Sequence, residues 1–144
     1  MKVDLVSGRK QSAWTSDHGI YVSKRRTWMQ TNIDTHIRIV GASGRQSEIC
    51  LLKRWRDVHQ LELPSFCIEL ATLRVLTGRR TSGLATNLWN CLTFFRDQLP
   101  SAALIDPANT NNNVADDMTA TEKQAVSAQA GRSLQEQYWS SIVW

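Results

Sequence analysis

Apolar residues recur at helical spacing over most of this chain, behind a short alternating start. Lys2-Val3-Asp4-Leu5-Val6 alternates and runs into Ser7-Gly8, which predicts a strand followed by a loop. His18-Gly19 reads as a turn ahead of a second β-prone run, Ile20-Tyr21-Val22. Trp28 to Asn32 fits neither period, and Ile33 to Val40 predicts a short helix ended by Gly41-Ala42-Ser43-Gly44. From Arg45 onward Leu51, Trp55 and Val58 share one stripe, with Glu48 at its start and Ile49 and Leu52 beside it. Lys53 and Arg56 are three residues apart on another face, so their side chains can converge on one patch.

Leu63-Pro64-Ser65 starts a new helix, with proline in its first turn. Through Leu76 that helix is apolar nearly all round, which predicts burial at the centre of the domain, and Gly78 supplies its C-cap. Leu84, Leu88, Cys91, Leu92, Phe95 and Leu99 trace a third long helix, stopped by Pro100. Residues 106–113 (DPANTNNN) are rich in Asx-turn formers and read as a long loop. Thr119-Ala120-Thr121-Glu122 is a capping box, so a helix should start there and run through Val126, Ala130 and Leu134. Tyr138, Trp139, Ile142, Val143 and Trp144 form a last apolar group expected to dock onto the body. The expected fold class is mainly α (α+β): a helical bundle behind a short β-hairpin.

Composition narrows the class. A chain of 144 residues is one ordinary domain in length, and a single core of that size buries roughly 68–70% of the unfolded surface. With 42% hydrophobic and 21% charged residues, disordered and collagen-like chains are excluded. No apolar run reaches the roughly 18 residues of a membrane span, and no signal-peptide core opens the chain, so a cytoplasmic protein is expected. Cys50, Cys67 and Cys91 lack C-x-x-C spacing and are expected to be reduced and mostly buried, with no zinc site. The net charge of +4 is unevenly placed: residues 1–80 carry 14 basic against 7 acidic groups, residues 81–144 carry 3 against 6. The basic front suits an anion such as a nucleotide, a nucleic acid or an acidic partner, and equally a solvated surface.

Few residues point to chemistry by themselves. Asp4 sits on the first strand; strand ends commonly hold metal-binding carboxylates, although a lone strand aspartate is more often structural or exposed. Lys53 with Arg56 suits phosphate or a solvated helix face. Ser65 and Phe66 stand at a helix N-terminus, which favours an anion, although a cap and a core aromatic explain them as well. Glu69 lies in an apolar helix and needs a partner, with Arg54 or Arg74 as candidates. Lys24-Arg25-Arg26 reads as a solvated turn. No Ser/His/Asp set, HExxH or Gly-rich phosphate loop is present.

The order of these segments nevertheless resembles a known family. Ile49-Cys50-Leu51-Leu52-Lys53-Arg54-Trp55 followed by Leu63-Pro64-Ser65-Phe66-Cys67-Ile68-Glu69-Leu70 is similar to the C-terminal helical region of polymerase-β-like nucleotidyltransferases. The pattern is that of the oligoadenylate synthase and bacterial cyclic-oligonucleotide synthase branch, "LxKxW … LPSxxLE". Leu104-Ile105-Asp106-Pro107-Ala108-Asn109, Asn112-Asn113-Val114 and the end from Trp139 to Trp144 resemble that branch's "DPxNPxNNV" loop and aromatic terminus. Lys2 to Val6 is similar to the strand that bears the family's third metal-binding carboxylate.

The resemblance implies a Mg²⁺-dependent enzyme that joins nucleotides from NTPs, in a cytoplasmic, anti-phage signalling context. Asp4 would be the third carboxylate, holding Mg²⁺ and accepting the attacking hydroxyl's proton. Lys53 would contact the triphosphate, Ser65 would hydrogen-bond the phosphates, and Phe66 would stack on the base in place of a tyrosine. Asp106, Asn109 and Asn113 would order the returning loop. The chain contains no Gly-Ser dipeptide and no D-x-D, which carry the family's phosphate turn and first two carboxylates, and Ser7 replaces a usual proline. Two-metal phosphoryl transfer needs both carboxylate sources. The expectation is therefore a C-terminal part, with residues 1–32 a remnant of the catalytic sheet and 33–144 a helical substrate-binding domain, inactive alone. Two alternatives stand beside it: a non-enzymatic basic module binding nucleic acid or a protein, and one chain of a split enzyme. An open sheet edge at Lys2 to Val6 would recruit the missing half or a second copy.

Overall fold

The computed structural model describes residues 8–22, 26–79 and 83–144; the expected strand Lys2 to Val6 with Asp4, and Lys24 and Arg25, lie outside them. At the front is a three-stranded antiparallel sheet in the order β1 (Gly8–Lys10), β2 (Asp17–Val22) and β3 (Thr27–Asn32). Three expectations are corrected here. Gly8 is strand rather than loop and pairs with Ile20. His18-Gly19 is not a turn but lies inside β2, paired with Lys10 and Arg9 on one side and Thr31 and Gln30 on the other. The ambiguous stretch ending at Asn32 is β3, so the hairpin is part of a larger sheet. The physical reason is that pairing on both sides supplies the backbone hydrogen bonds that a glycine-containing segment, weak in strand propensity, does not specify locally.

Asn32 ends β3 and caps α1 (Ile33–Ala42), its side chain accepting a hydrogen bond from the Thr35 amide at 2.9 Å. The helical body follows as α2 (Gln46–Val58), α3 (Ser65–Leu76), α4 (Leu84–Asp97) and α5 (Ala120–Ser133), closed by the short α6 (Ser140–Val143). Its core forms where the predicted stripes meet. Trp55 of α2 stacks on Phe95 of α4 with centroids 5.8 Å apart, both fully buried beside Leu52, Ile68, Leu88 and Leu92. The Trp55 indole Nε1 donates to Ser133 Oγ at 3.0 Å, so its one polar atom is satisfied inside the core. Gly78, at φ +69°, takes the left-handed turn that ends α3. The capping box is realised at both ends: the Glu122 amide donates to Thr119 Oγ1 and the Thr119 amide to Glu122 Oε2.

Two further expectations change. Residues 106–113 do not form a free loop, for β4 (Ile105–Asp106) and β5 (Asn109–Asn113) pair as an antiparallel hairpin. Its Asn and Asp side chains bond to this hairpin and to neighbouring segments rather than to loop turns alone. The terminal aromatic group docks through Ile142 and Val143, while Trp144 itself is 75% exposed. Arg54 lies over the Trp144 ring, 5.7 Å from its centroid, and its Nε donates to the Val143 carbonyl. All three cysteines are free, Cys67 and Cys91 buried and Cys50 exposed. Among the described residues no helix is long and apolar enough to cross a membrane.

Candidate functional site: the N-terminal end of α3

The first turns of α3 gather most of the residues singled out from the sequence. Lys53 and Arg56, one turn apart on α2, face Ser65 and Glu69, one turn apart on α3. Lys53 Nζ lies 2.6 Å from Glu69 Oε1 in a half-buried ion pair. The partner of Glu69 is thus Lys53; Arg54 turns instead to the C-terminus, and Arg74 donates to the Ala103 carbonyl. The reason is geometric: residue 53 is on the α2 face that meets α3. Arg56 Nη1 donates to Ser65 Oγ at 2.9 Å and to the Leu63 carbonyl at 3.2 Å, while its Nε donates to Asp57. Arg56 therefore fastens the turn before α3, and Ser65 forms no side-chain cap.

Phe66 points to a different neighbour. Its ring stacks on His36 of α1, with centroids 4.1 Å apart and planes inclined by 29°. His36 Nε2 donates across 2.7 Å to Asp106 Oδ1 and lies 3.3 Å from Thr31 Oγ1. Asp106 is 1% exposed and also accepts from the Ala108 amide and Asn112 Nδ2, so this carboxylate joins α1, the β4–β5 hairpin and the end of β3. Asn109 Nδ2 adds a bond to the Gln30 carbonyl of β3, and Asn113 Oδ1 accepts from the Leu104 and Ala115 amides.

A cleft of about 330 Å³ opens between the sheet and the helical body at this point. Ile20, Met29 and Thr31 line it from the sheet, Ile33 and His36 from α1, Pro64 and Phe66 from α3, and Asp106 and Asn112 from the hairpin. Asn112 is buried, yet its Oδ1 has no hydrogen-bond partner among the described residues, so the cleft wall carries a free acceptor. The lining includes Phe66 but neither Lys53 nor Ser65. The predicted set thus divides into a charged patch, Lys53 with Ser65, and an aromatic cleft around Phe66. His36 was missed by sequence reasoning, and Asn112 was noted only as part of the returning loop. A histidine among the aliphatic residues of a predicted helix was the available signal for the first, whereas Asn112 is one of three consecutive asparagines and only burial distinguishes it.

No family model matches the chain, and no curated protein matches it. Solved structures do. CdnC of E. coli MS115-1, a bacterial cyclic oligonucleotide synthase, solved with ATP, aligns with a TM-score of 0.75 over 89% of this chain and 50% of its own, at 18% identity. The same synthase in its complex with HORMA-deltaN aligns with a TM-score of 0.71 over 86% of this chain and 48% of its own, at 17% identity. At such identities the likeness concerns the fold. The chain has a nucleotidyltransferase-like fold and spans about half the length of the synthase it matches.

Proposed function

We propose that this chain is the substrate-binding part of a nucleotidyltransferase that joins nucleotides into linear or cyclic oligonucleotides, and that it does not carry out the reaction by itself. The observation that supports this reading is the fold likeness, over 89% of the chain, to a synthase solved with ATP. In this reading residues 33–144 hold the nucleotide and residues 1–32 belong to the catalytic sheet. Lys53 contacts the triphosphate, which requires it to share its charge between phosphate and Glu69. Ser65 offers its hydroxyl to the same phosphates from beside the Arg56 guanidinium. Phe66 provides a π-face for the base; His36 occupies one face of the ring, so the base takes the other or displaces the imidazole.

The reaction implied is attack of a nucleotide hydroxyl on an NTP α-phosphate, with pyrophosphate leaving. Mg²⁺ and a set of carboxylates would be needed for it. The described residues do not fit such an ion, because no three His, Cys, Asp or Glu side chains among them come together as ligands. Asp4 lies outside them, and the sequence has neither Gly-Ser nor D-x-D. The remaining carboxylates must come from elsewhere, either another segment of the enzyme or a separate chain.

Calorimetric titration with ATP and GTP in Mg²⁺ tests the reading. The expected result is weak saturable binding, weakened by Lys53→Gln and Phe66→Ala, with no pyrophosphate release. Absence of binding to any NTP at millimolar concentration would overturn the nucleotide-binding reading. Pyrophosphate release that Asp4→Ala abolishes would overturn the claim that the chain is inactive alone. A second reading, a basic module for nucleic acid, is favoured by the positive front and by Trp14 and Trp28, 96% and 59% exposed. RNA affinity falling steeply with salt would select it.

A further inference from the structure

A second cleft lies at the opposite end of α3, where its last turn meets α4. It measures about 300 Å³, and Arg74, Arg79, Asn90, Thr93, Phe94 and Gln98 line it. Phe66 and Arg74 are eight residues apart on α3, so the two clefts are separated by about 12 Å of helix. Nothing assigned so far uses this one.

Two arginines and no carboxylate are among the described residues that line this cleft. Arg74 is held in place: its Nη1 donates to the Ala103 carbonyl at 2.8 Å and its guanidinium lies over the Phe94 ring, 5.6 Å from the centroid. One edge of the group is thereby used, and its other N–H donors remain. Arg79 is positioned through its backbone. Gly78 turns the chain at φ +69°, and the Arg79 carbonyl accepts from Arg45 Nη2 at 2.8 Å. Arg45 is itself a buried cation, paired with Glu48, which also accepts from Asn87 Nδ2 of α4. A buried ion pair therefore fixes the turn that presents Arg79. Among the described residues the Arg79 guanidinium and the side-chain amides of Asn90 and Gln98 have no hydrogen-bond partner. The nearest acid along α4, Asp97, is engaged by Arg96 at 2.6 Å.

A single arginine on the last turn of a helix is explained by the helix dipole. Two unneutralised guanidinium groups, two amides and an aromatic wall in one cavity are not. One arginine satisfies the two oxygens of a carboxylate, whereas the donors here match the three oxygens and double charge of a phosphate monoester. The volume is at the lower end of small-molecule sites, larger than a bare phosphate requires. We propose that the Arg74–Arg79 cleft binds a phosphomonoester group, carried by a small molecule or by a lipid headgroup. This does not depend on the nucleotide reading of the α3 N-terminal end.

The test is calorimetric titration of the full chain, in phosphate-free buffer, with inorganic phosphate and with glycerol 3-phosphate. It is paired with flotation on phosphatidylcholine vesicles with or without phosphatidic acid. Saturable binding is expected, weakened about tenfold by Arg79→Gln through loss of charged hydrogen bonds and unchanged by Lys10→Gln, an exposed cation of β1 that does not line the cleft. Among the described residues the Arg79 side chain makes no hydrogen bond or ion pair, so this variant should fold normally, as its circular dichroism will report. Arg74→Gln should weaken binding as well. Tighter binding of glycerol 3-phosphate than of phosphate supports a free ligand. Binding to phosphatidic acid vesicles alone, lost in Arg79→Gln, supports a headgroup. The proposal is overturned if neither probe nor vesicle binds, if Arg79→Gln leaves binding intact, or if Lys10→Gln removes it.

Discussion

Replacing Glu48 by glutamine should destabilise the fold markedly, because it removes the counter-charge of a buried cation. Glu48 is 5% exposed and Arg45 9% exposed, with 3.2 Å between Oε1 and Nη1. The same Oε1 accepts from Asn87 Nδ2 at 2.8 Å. Glutamine keeps an acceptor for Asn87 but leaves the Arg45 guanidinium buried without its counter-charge, although the Leu76 and Arg79 carbonyls still accept from it. Breaking a buried pair from one side costs about 3–5 kcal/mol. The retained acceptors place this case near the lower end, about 3 kcal/mol. For a chain of this size that corresponds to a fall of about 6–12 °C in melting temperature.

The assay is urea and thermal unfolding followed by circular dichroism, with Arg45→Met and the double variant completing a cycle. The pH dependence gives an independent reading. Burial raises the Glu48 pKa, but the bonds from its backbone, Asn87 and Arg45 together outweigh it, and the net shift is downward. A lowered folded pKa contributes stability that is present above the ordinary carboxylate range and lost as pH falls through the folded value. The gap between wild type and Glu48→Gln should therefore narrow in acid. A loss below about 1 kcal/mol at neutral pH, or a gap that widens in acid, would refute the reasoning.

Three further outcomes are expected. Burial pushes the Cys67 and Cys91 thiols up to about 12, so at pH 8 a thiol reagent should titrate Cys50 alone in the folded chain and all three in denaturant. Thr119→Ala should lose about 1 kcal/mol in unfolding experiments, and Thr119→Ser much less, because only the cap bond to the Glu122 amide differs. Asp106→Ala should cost about 3 kcal/mol and raise amide exchange across Asn109–Asn113, since His36, Ala108 and Asn112 all lose their acceptor.

The helices were legible in the sequence because each is a local object. The Leu51/Trp55 stripe, the apolar run after Pro64, Gly78 and the Thr119–Glu122 box all act within a few residues, and each appears where the pattern puts it. The strands were legible only in part: Ile20-Tyr21-Val22 falls in β2 as its pattern puts it, and the other segments do not announce themselves. His18-Gly19 looks like a turn until strands on both sides pair with it, and Asn109–Asn113 looks like a loop until Asp106 organises it. Strand identity depends on what lies alongside, and short polar segments carry little of that information locally.

The candidate site divides along the same line. Sequence alone determined which residues stand at the start of α3, because Leu63-Pro64-Ser65-Phe66 is both a helix start and the centre of the family resemblance. It also determined that Gly-Ser and D-x-D are absent. Only the tertiary structure decided that Lys53 rather than Arg54 neutralises Glu69, and that Arg56 holds Ser65. Likewise, only the structure shows His36 and Asp106, 70 residues apart, meeting over Phe66 at the wall of a cleft. Periodicity fixes a face of a helix, but the partner of that face is chosen by packing against elements far away in the chain.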